Sequence, residues 1–97
     1  MISENAFTEK DRKILEATPL RSEMAAPGEW IVREDAKPDE LLPVYVWIDF
    51  RGELTAACHC WDNAEGHPCP HALDVINQVR ANDEILIQLM KRRVATA

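Results

Sequence analysis

Two short motifs near the middle of the chain restrict its fold more than any other feature. They are Cys58-x-Cys60 and Cys69-x-His71, and eight residues separate them. They use all three cysteines of the sequence, and three thiols cannot all pair with one another inside one chain. Thiolates and imidazoles at such spacings are common zinc ligands, and three cysteines with one histidine complete a tetrahedral site. The pattern therefore predicts one structural Zn²⁺ bound by these four residues.

Other interpretations of this cluster stay open at the level of sequence. Buried cysteines can lie close together by coincidence, and a C-x-C pair can be a redox pair, although the latter leaves Cys69 and His71 unexplained. His67 is an alternative fourth ligand, but it lacks the C-x-H spacing. On an extended strand His59 points away from the two cysteines beside it. Trp61 either packs over the metal or is an ordinary loop aromatic.

The segments around the motifs have clear secondary-structure patterns. Residues 44–50 are rich in β-branched and aromatic side chains, and a compact turn separates them from residues 54–58, so we expect a β-hairpin. Period-two alternation predicts that Val44, Val46, Ile48 and Phe50 share one face of the first strand, and that Tyr45, Trp47 and Asp49 share the other. Apolar residues at helical spacing predict a helix that begins near Pro70 and a second helix capped by Asn82 or Asp83.

The part of the chain before the hairpin is more polar. Residues 1–28 are predicted to be a partly helical lead-in, with Thr8 capping a short helix that Pro19 ends. Residues 29–97, with the motif at 58–71, would form the main domain, and residues 30–32 favour a short strand. The predicted class is α+β, with a small antiparallel sheet or hairpin, a following α-helix, and flanking N- and C-terminal helices.

The motif and its surroundings resemble the SWIM-type zinc finger, whose pattern is CxC, a variable spacer and CxH. Cys58, Cys60, Cys69 and His71 match that pattern. A hydrophobic hairpin precedes them and an apolar helix follows, so the resemblance covers roughly residues 29–80. It implies a ββα zinc module that binds DNA or proteins and has no catalytic activity of its own.

The donor set itself argues against an enzyme. A catalytic zinc keeps one coordination position open for water or substrate, whereas four good protein ligands close the site. Glu65 lies in the loop between the two motifs, but no recognisable catalytic motif surrounds it. We therefore expect zinc to stabilise the fold rather than to do chemistry.

Charge and aromatic residues suggest two kinds of partner. Eleven basic against seventeen acidic residues give a net charge of −6, which weakens attraction to nucleic acid, and Lys91, Arg92 and Arg93 form the main basic run. Tyr45 and Trp47 share one face of the hairpin and would be an interaction surface if exposed. These residues predict a protein-binding adaptor or regulator. The alternative is a DNA-binding accessory protein in transposition, recombination or transcription.

Two further expectations follow from the pattern of apolar residues. If residues 7–32, including Trp30, folded over the hairpin, the aromatic face would belong to the core instead.

No apolar run approaches the roughly 18 residues that span a bilayer, and charges throughout the first fifteen residues exclude a secretory h-region. Together with clustered thiols, this predicts an intracellular, cytoplasmic protein.

Overall fold

The structure is a computed structural model that describes residues 2–58, 60 and 69–96, with side chains as far as residue 92. Its elements are β1 (Ile2–Ser3), a 3₁₀ turn (Glu4–Ala6), α1 (Glu9–Glu16), β2 (Leu20–Ala26), β3 (Glu29–Glu34), β4 (Leu42–Ile48), β5 (Leu54–Cys58), α2 (Pro70–Arg80) and α3 (Asp83–Thr96). The strands form one antiparallel sheet of five strands in the order β1-β5-β4-β3-β2. The described residues thus confirm the α+β class, with this sheet and three helices.

The predicted hairpin is present as β4 and β5. Tyr45 pairs with Ala57, and Gly52 adopts a φ of 81° in the turn, a conformation that an L side chain rarely takes. The first strand ends at Ile48, however, and Phe50 is 84 % exposed. The prediction that Phe50 shares a strand face with Val44, Val46 and Ile48 is therefore wrong, because the strand ends before Phe50.

The N-terminal residues contribute strands as well as the predicted helix. Thr8 caps α1 in a reciprocal arrangement with Asp11, which confirms the predicted start of that helix. The sequence predicts no strand before residue 29, yet Leu20–Ala26 pairs with β3 and Ile2–Ser3 with β5. Leu20–Ala26 is an edge strand without clear alternation, so its own sequence carries little strand signal, and it is aligned by its neighbour.

The core lies between one face of the sheet and helix α2. Trp30 pairs with Val44 and is buried on this face, where its Nε1 donates to the carbonyl of Pro27 at 3.2 Å. The prediction that Trp30 covers the aromatic face is wrong, because Trp30 and Tyr45 lie on opposite faces. Helix α2 packs over β5 and β4 and buries the following residues: His71, Ala72, Leu73, Val75, Ile76 and Val79.

The C-terminal part contains two helices, as predicted. The Oδ1 of Asn82 accepts hydrogen bonds from the backbone N–H of Glu84 at 3.1 Å and of Ile85 at 3.3 Å, so Asn82 caps α3. Helix α3 packs against α2 and β4 and buries Ile85 and Leu89. Within the described residues, no helix combines the length and apolar character needed to cross a membrane.

Candidate metal centre

The four predicted zinc ligands come together where the sheet meets the start of α2. Cys58 is the last residue of β5, Cys60 follows two residues later, Cys69 is the N-cap of α2, and His71 lies in its first turn. Their potential ligand atoms all lie within 4.8 Å of one another. One metal ion can therefore contact all four side chains.

Burial separates this cluster from bulk water. Cys58, Cys69 and His71 are each no more than 5 % exposed, and Cys60 is half-buried. Cys58 pairs with Val44 across the sheet and so projects toward the helical side. Burying several ionisable side chains together costs free energy unless a bound cation or hydrogen bonds offset the loss of hydration.

The N-terminus of helix α2 favours a thiolate at Cys69, its N-cap residue. The Sγ of Cys69 accepts a hydrogen bond from the backbone N–H of Ala72 at 3.4 Å, and the positive end of the helix dipole lies beside it. The Cys58 thiol beside it, the His71 imidazole and the Ala72 N–H outweigh burial and lower the pKa of Cys69 to about 4. The reverse holds for Cys58: the neighbouring Cys69 and burial both raise its pKa. Within this pair, the surroundings favour the thiolate of Cys69 over that of Cys58.

The imidazole of His71 is held by a residue that the sequence pattern did not indicate. Its Nε2 lies 2.8 Å from Oε1 of Glu34, at the end of β3. Its Nδ1 is buried and has no hydrogen-bond partner among the described residues. Burial opposes protonation, but the interactions with Cys69 and Glu34 outweigh it and raise the pKa of His71. A buried ring nitrogen without a partner, in a cluster of thiols, is the feature expected of a metal ligand.

One feature of the sequence could have indicated that Glu34 faces the core side of the sheet. It follows Trp30 and Val32 at period two, and both of those side chains are buried. A carboxylate that continues an inward-facing series needs a polar partner, and here that partner is His71. Which partner it has depends on the sheet register and the position of α2, so the sequence alone does not identify it.

The donor set suits zinc. Three thiols and one imidazole are soft or borderline ligands, and zinc prefers four of them in a tetrahedron. Calcium and magnesium instead take oxygen ligands. The residues present therefore fit one Zn²⁺.

The predicted partner-binding residues are only partly brought together. Tyr45, Trp47 and Arg92 line one cleft at the end of the sheet opposite the thiols, together with Gly28 and Leu89. Tyr45 is 42 % exposed and Trp47 is half-buried.

The remaining candidates are placed as follows. Lys91 is exposed on α3. The side chain of Arg93 and residues His59, Trp61, Glu65 and His67 lie outside the part of the chain that the structure describes. Comparisons with protein-family models, with curated proteins and with solved structures found no match for this chain.

Proposed function

We propose that this protein is a SWIM-type zinc module in which Zn²⁺ is structural and which has no catalytic activity of its own. The observation that carries the proposal is the convergence of four zinc-type donor atoms within 4.8 Å, from side chains that are mostly buried. In this assignment β4, β5 and α2 form the ββα unit.

Zinc would join two consecutive elements, β5 and α2. Two ligands come from the last residue of β5 and the residue two positions later, and two come from the start of α2, so a bound ion fixes the helix to this end of the sheet. Metal binding at such a site contributes directly to folding free energy, because the unfolded chain has no preformed site. Four protein ligands leave no position for a reacting water, which supports a non-catalytic role.

Zinc content of purified variants tests this assignment. We expect one zinc per chain in the natural protein and loss of that zinc in His71→Asn. His67→Asn is the matched control, since His67 is the other histidine that the sequence offers as fourth ligand. If zinc is retained in His71→Asn and lost in His67→Asn, the fourth ligand is His67 and the proposed ligand set is wrong. If the natural protein contains no zinc, the proposal as a whole is wrong.

We further propose that the module acts through a protein partner bound in the cleft of Tyr45, Trp47 and Arg92. Aromatic and aliphatic side chains line most of this cleft, and Glu29 and Arg92 add one carboxylate and one guanidinium. A peptide segment with an apolar side chain complements this lining. The net charge of −6 weakens attraction to a phosphate backbone, whereas burial of an apolar side chain does not depend on charge.

Nucleic-acid binding is the second candidate, because Arg92 and Lys91 lie together at the end of α3. Two assays distinguish protein binding from nucleic-acid binding: selection from a displayed peptide library, and binding of a labelled DNA duplex. We expect selection of peptides with aromatic or aliphatic side chains, whose binding is lost in Trp47→Ala. Phe50→Ala is the matched control, since Phe50 is an aromatic residue that is 84 % exposed and does not line the cleft. Duplex binding that falls steeply with salt, without peptide selection, would favour the alternative.

A further inference from the structure

The candidate metal centre includes a third element, strand β3, through Glu34. Strands β3 and β5 end at the same edge of the sheet, because β4 pairs with both in antiparallel register. Glu34 is the last residue of β3 and faces the side on which Trp30 and Val32 are buried. Its side chain is 25 % exposed, and that of His71 is 7 % exposed. The contact between the two is therefore largely screened from water.

This contact distinguishes the two ring nitrogens of His71. A neutral imidazole carries one N–H and one lone pair, and the nitrogen that meets an acceptor keeps the proton. A carboxylate can only accept, so the 2.8 Å contact assigns the proton to Nε2. Nδ1 is left with its lone pair, and it is also the ring nitrogen that is buried without a hydrogen-bond partner in the described part of the chain.

We infer that Glu34 is a positioning residue for His71, an inference that rests on the proposed zinc site. Through Glu34, His71 binds the metal with Nδ1 rather than with Nε2. Glu34 accepts the Nε2–H, holds the ring in one tautomer and orientation, and increases the basicity of Nδ1. Carboxylates that hold a histidine ligand in this way commonly contribute 10- to 100-fold to metal affinity. The same contact links β3, and through it the β2–β3 hairpin, to metal binding.

A plain ion pair between an imidazolium and Glu34 is the competing explanation. It would place protons on both ring nitrogens, so that His71 could not be a ligand in that state. The two explanations differ in the tautomer of the zinc-loaded protein and in the affinity for zinc, and both are measurable.

The first measurement is long-range ¹H–¹⁵N correlation NMR of the zinc-loaded natural protein, which needs no substitution. We expect His71 to show a proton on Nε2 and a metal-shifted Nδ1. Zinc bound through Nε2, or an imidazolium pattern in the zinc-loaded protein, would overturn the inference while leaving the zinc site in place. A protein that binds no zinc would instead overturn the proposed function on which the inference rests.

The second measurement is zinc affinity by competition with a chromophoric chelator. We expect Glu34→Ala to weaken zinc binding about 10- to 100-fold, and Glu34→Gln, which keeps a carbonyl acceptor, to restore most of the loss. Glu29→Ala is the matched control, because Glu29 is an exposed glutamate on the same strand. Far-ultraviolet circular dichroism establishes that each variant is folded, and the NMR measurement on the natural protein, which needs no substitution, decides between the two explanations if Glu34→Ala is not folded. Affinities equal to that of Glu29→Ala in both variants would overturn the inference.

Discussion

Helices α1 and α2 begin in the same way but depend on different surroundings. In each, the N-cap side chain accepts from the backbone N–H three residues later: Thr8 from Asp11 at 3.3 Å, and Cys69 from Ala72 at 3.4 Å. In α1, the carboxylate of Asp11 also accepts a hydrogen bond from the backbone N–H of Thr8, so the cap is complete within four residues. In α2, the capping atom also belongs to a cluster of metal-binding groups.

The two helices differ even more in what they bury. Helix α1 has no buried residue, whereas α2 buries six. Local hydrogen bonds and the packing of the half-buried Leu15 therefore stabilise α1, whereas α2 depends on the core and on the candidate metal centre. The difference teaches that similar caps need not have similar consequences. Three substitutions test it in order of decreasing expected effect, and a fourth, in the turn after β4, gives a comparison outside both helices.

Cys69→Ser should have the largest effect. Serine is itself a good N-cap, so this substitution keeps the cap of α2 and removes a zinc ligand. We expect loss of tight zinc binding and a large fall in the midpoint of thermal unfolding, on a scale set by the roughly 10–16 kcal/mol of structural zinc in zinc-finger peptides. Thr8→Ser makes the equivalent cap-to-cap change in α1 and should hardly alter the midpoint. Equal midpoints for the two variants would show that the thiol is only a cap.

Leu73→Ala should have the next largest effect. Leu73 is 2 % exposed in α2 and packs in the core, and such truncations cost about 2–5 kcal/mol. Denaturant unfolding of the zinc-loaded protein measures the loss. One zinc per chain should still bind, since Leu73 is not a ligand. A loss below 1 kcal/mol would mean that the core contributes less to α2 than its burial indicates.

Thr8→Ala should lower the free energy of unfolding by about 1 kcal/mol, the usual value of an N-cap. Because α1 buries no residue, the change should be local. Amide hydrogen exchange is expected to become faster in α1 and to stay unchanged in α2. Faster exchange in both helices would show that α1 is needed to hold α2 in place, against the comparison drawn above.

Asp49→Asn should have the smallest effect and a distinct pH dependence. The Oδ1 of Asp49 accepts from the backbone N–H groups of Glu53 and Arg51, at 3.0 and 2.9 Å, and these bonds lower its pKa below the ordinary 3.8. A depressed pKa in the folded state stabilises the protein above pH 3.8 and ceases to do so as the pH falls through the folded value. The stability difference between the natural protein and Asp49→Asn should therefore shrink on acidification. A difference that grows instead would contradict the assignment.

The sequence predicted the elements whose signals are local. Thr8 with Asp11 marks a helix start, and the alternation after Pro43 marks a strand. Asn82 breaks the apolar stripe and also caps the next helix, so two helices rather than one could be predicted. The candidate metal cluster could be predicted because the two motifs supply all four of its donor side chains.

What the sequence did not predict depends on tertiary placement. Strand β2 follows no alternating pattern, and its place at the sheet edge is set by pairing with β3. Phe50 continues the period-two alternation of the sequence, but strand β4 ends at Ile48. The partner of Glu34 lies 37 residues away in sequence, and only the packing of α2 on the sheet brings the two together.

A cobalt titration of the metal-free protein tests the central claim most directly, with visible absorption and far-ultraviolet circular dichroism recorded on the same samples. The claim is that three thiolates and one imidazole hold a single ion on which α2 depends. It predicts the intense visible bands of tetrahedral, thiolate-bound Co²⁺, saturation at one ion per chain, a parallel gain of helical signal, and displacement of the cobalt by zinc. Weak octahedral absorption, or saturation at one ion with no change in helical signal, would contradict it.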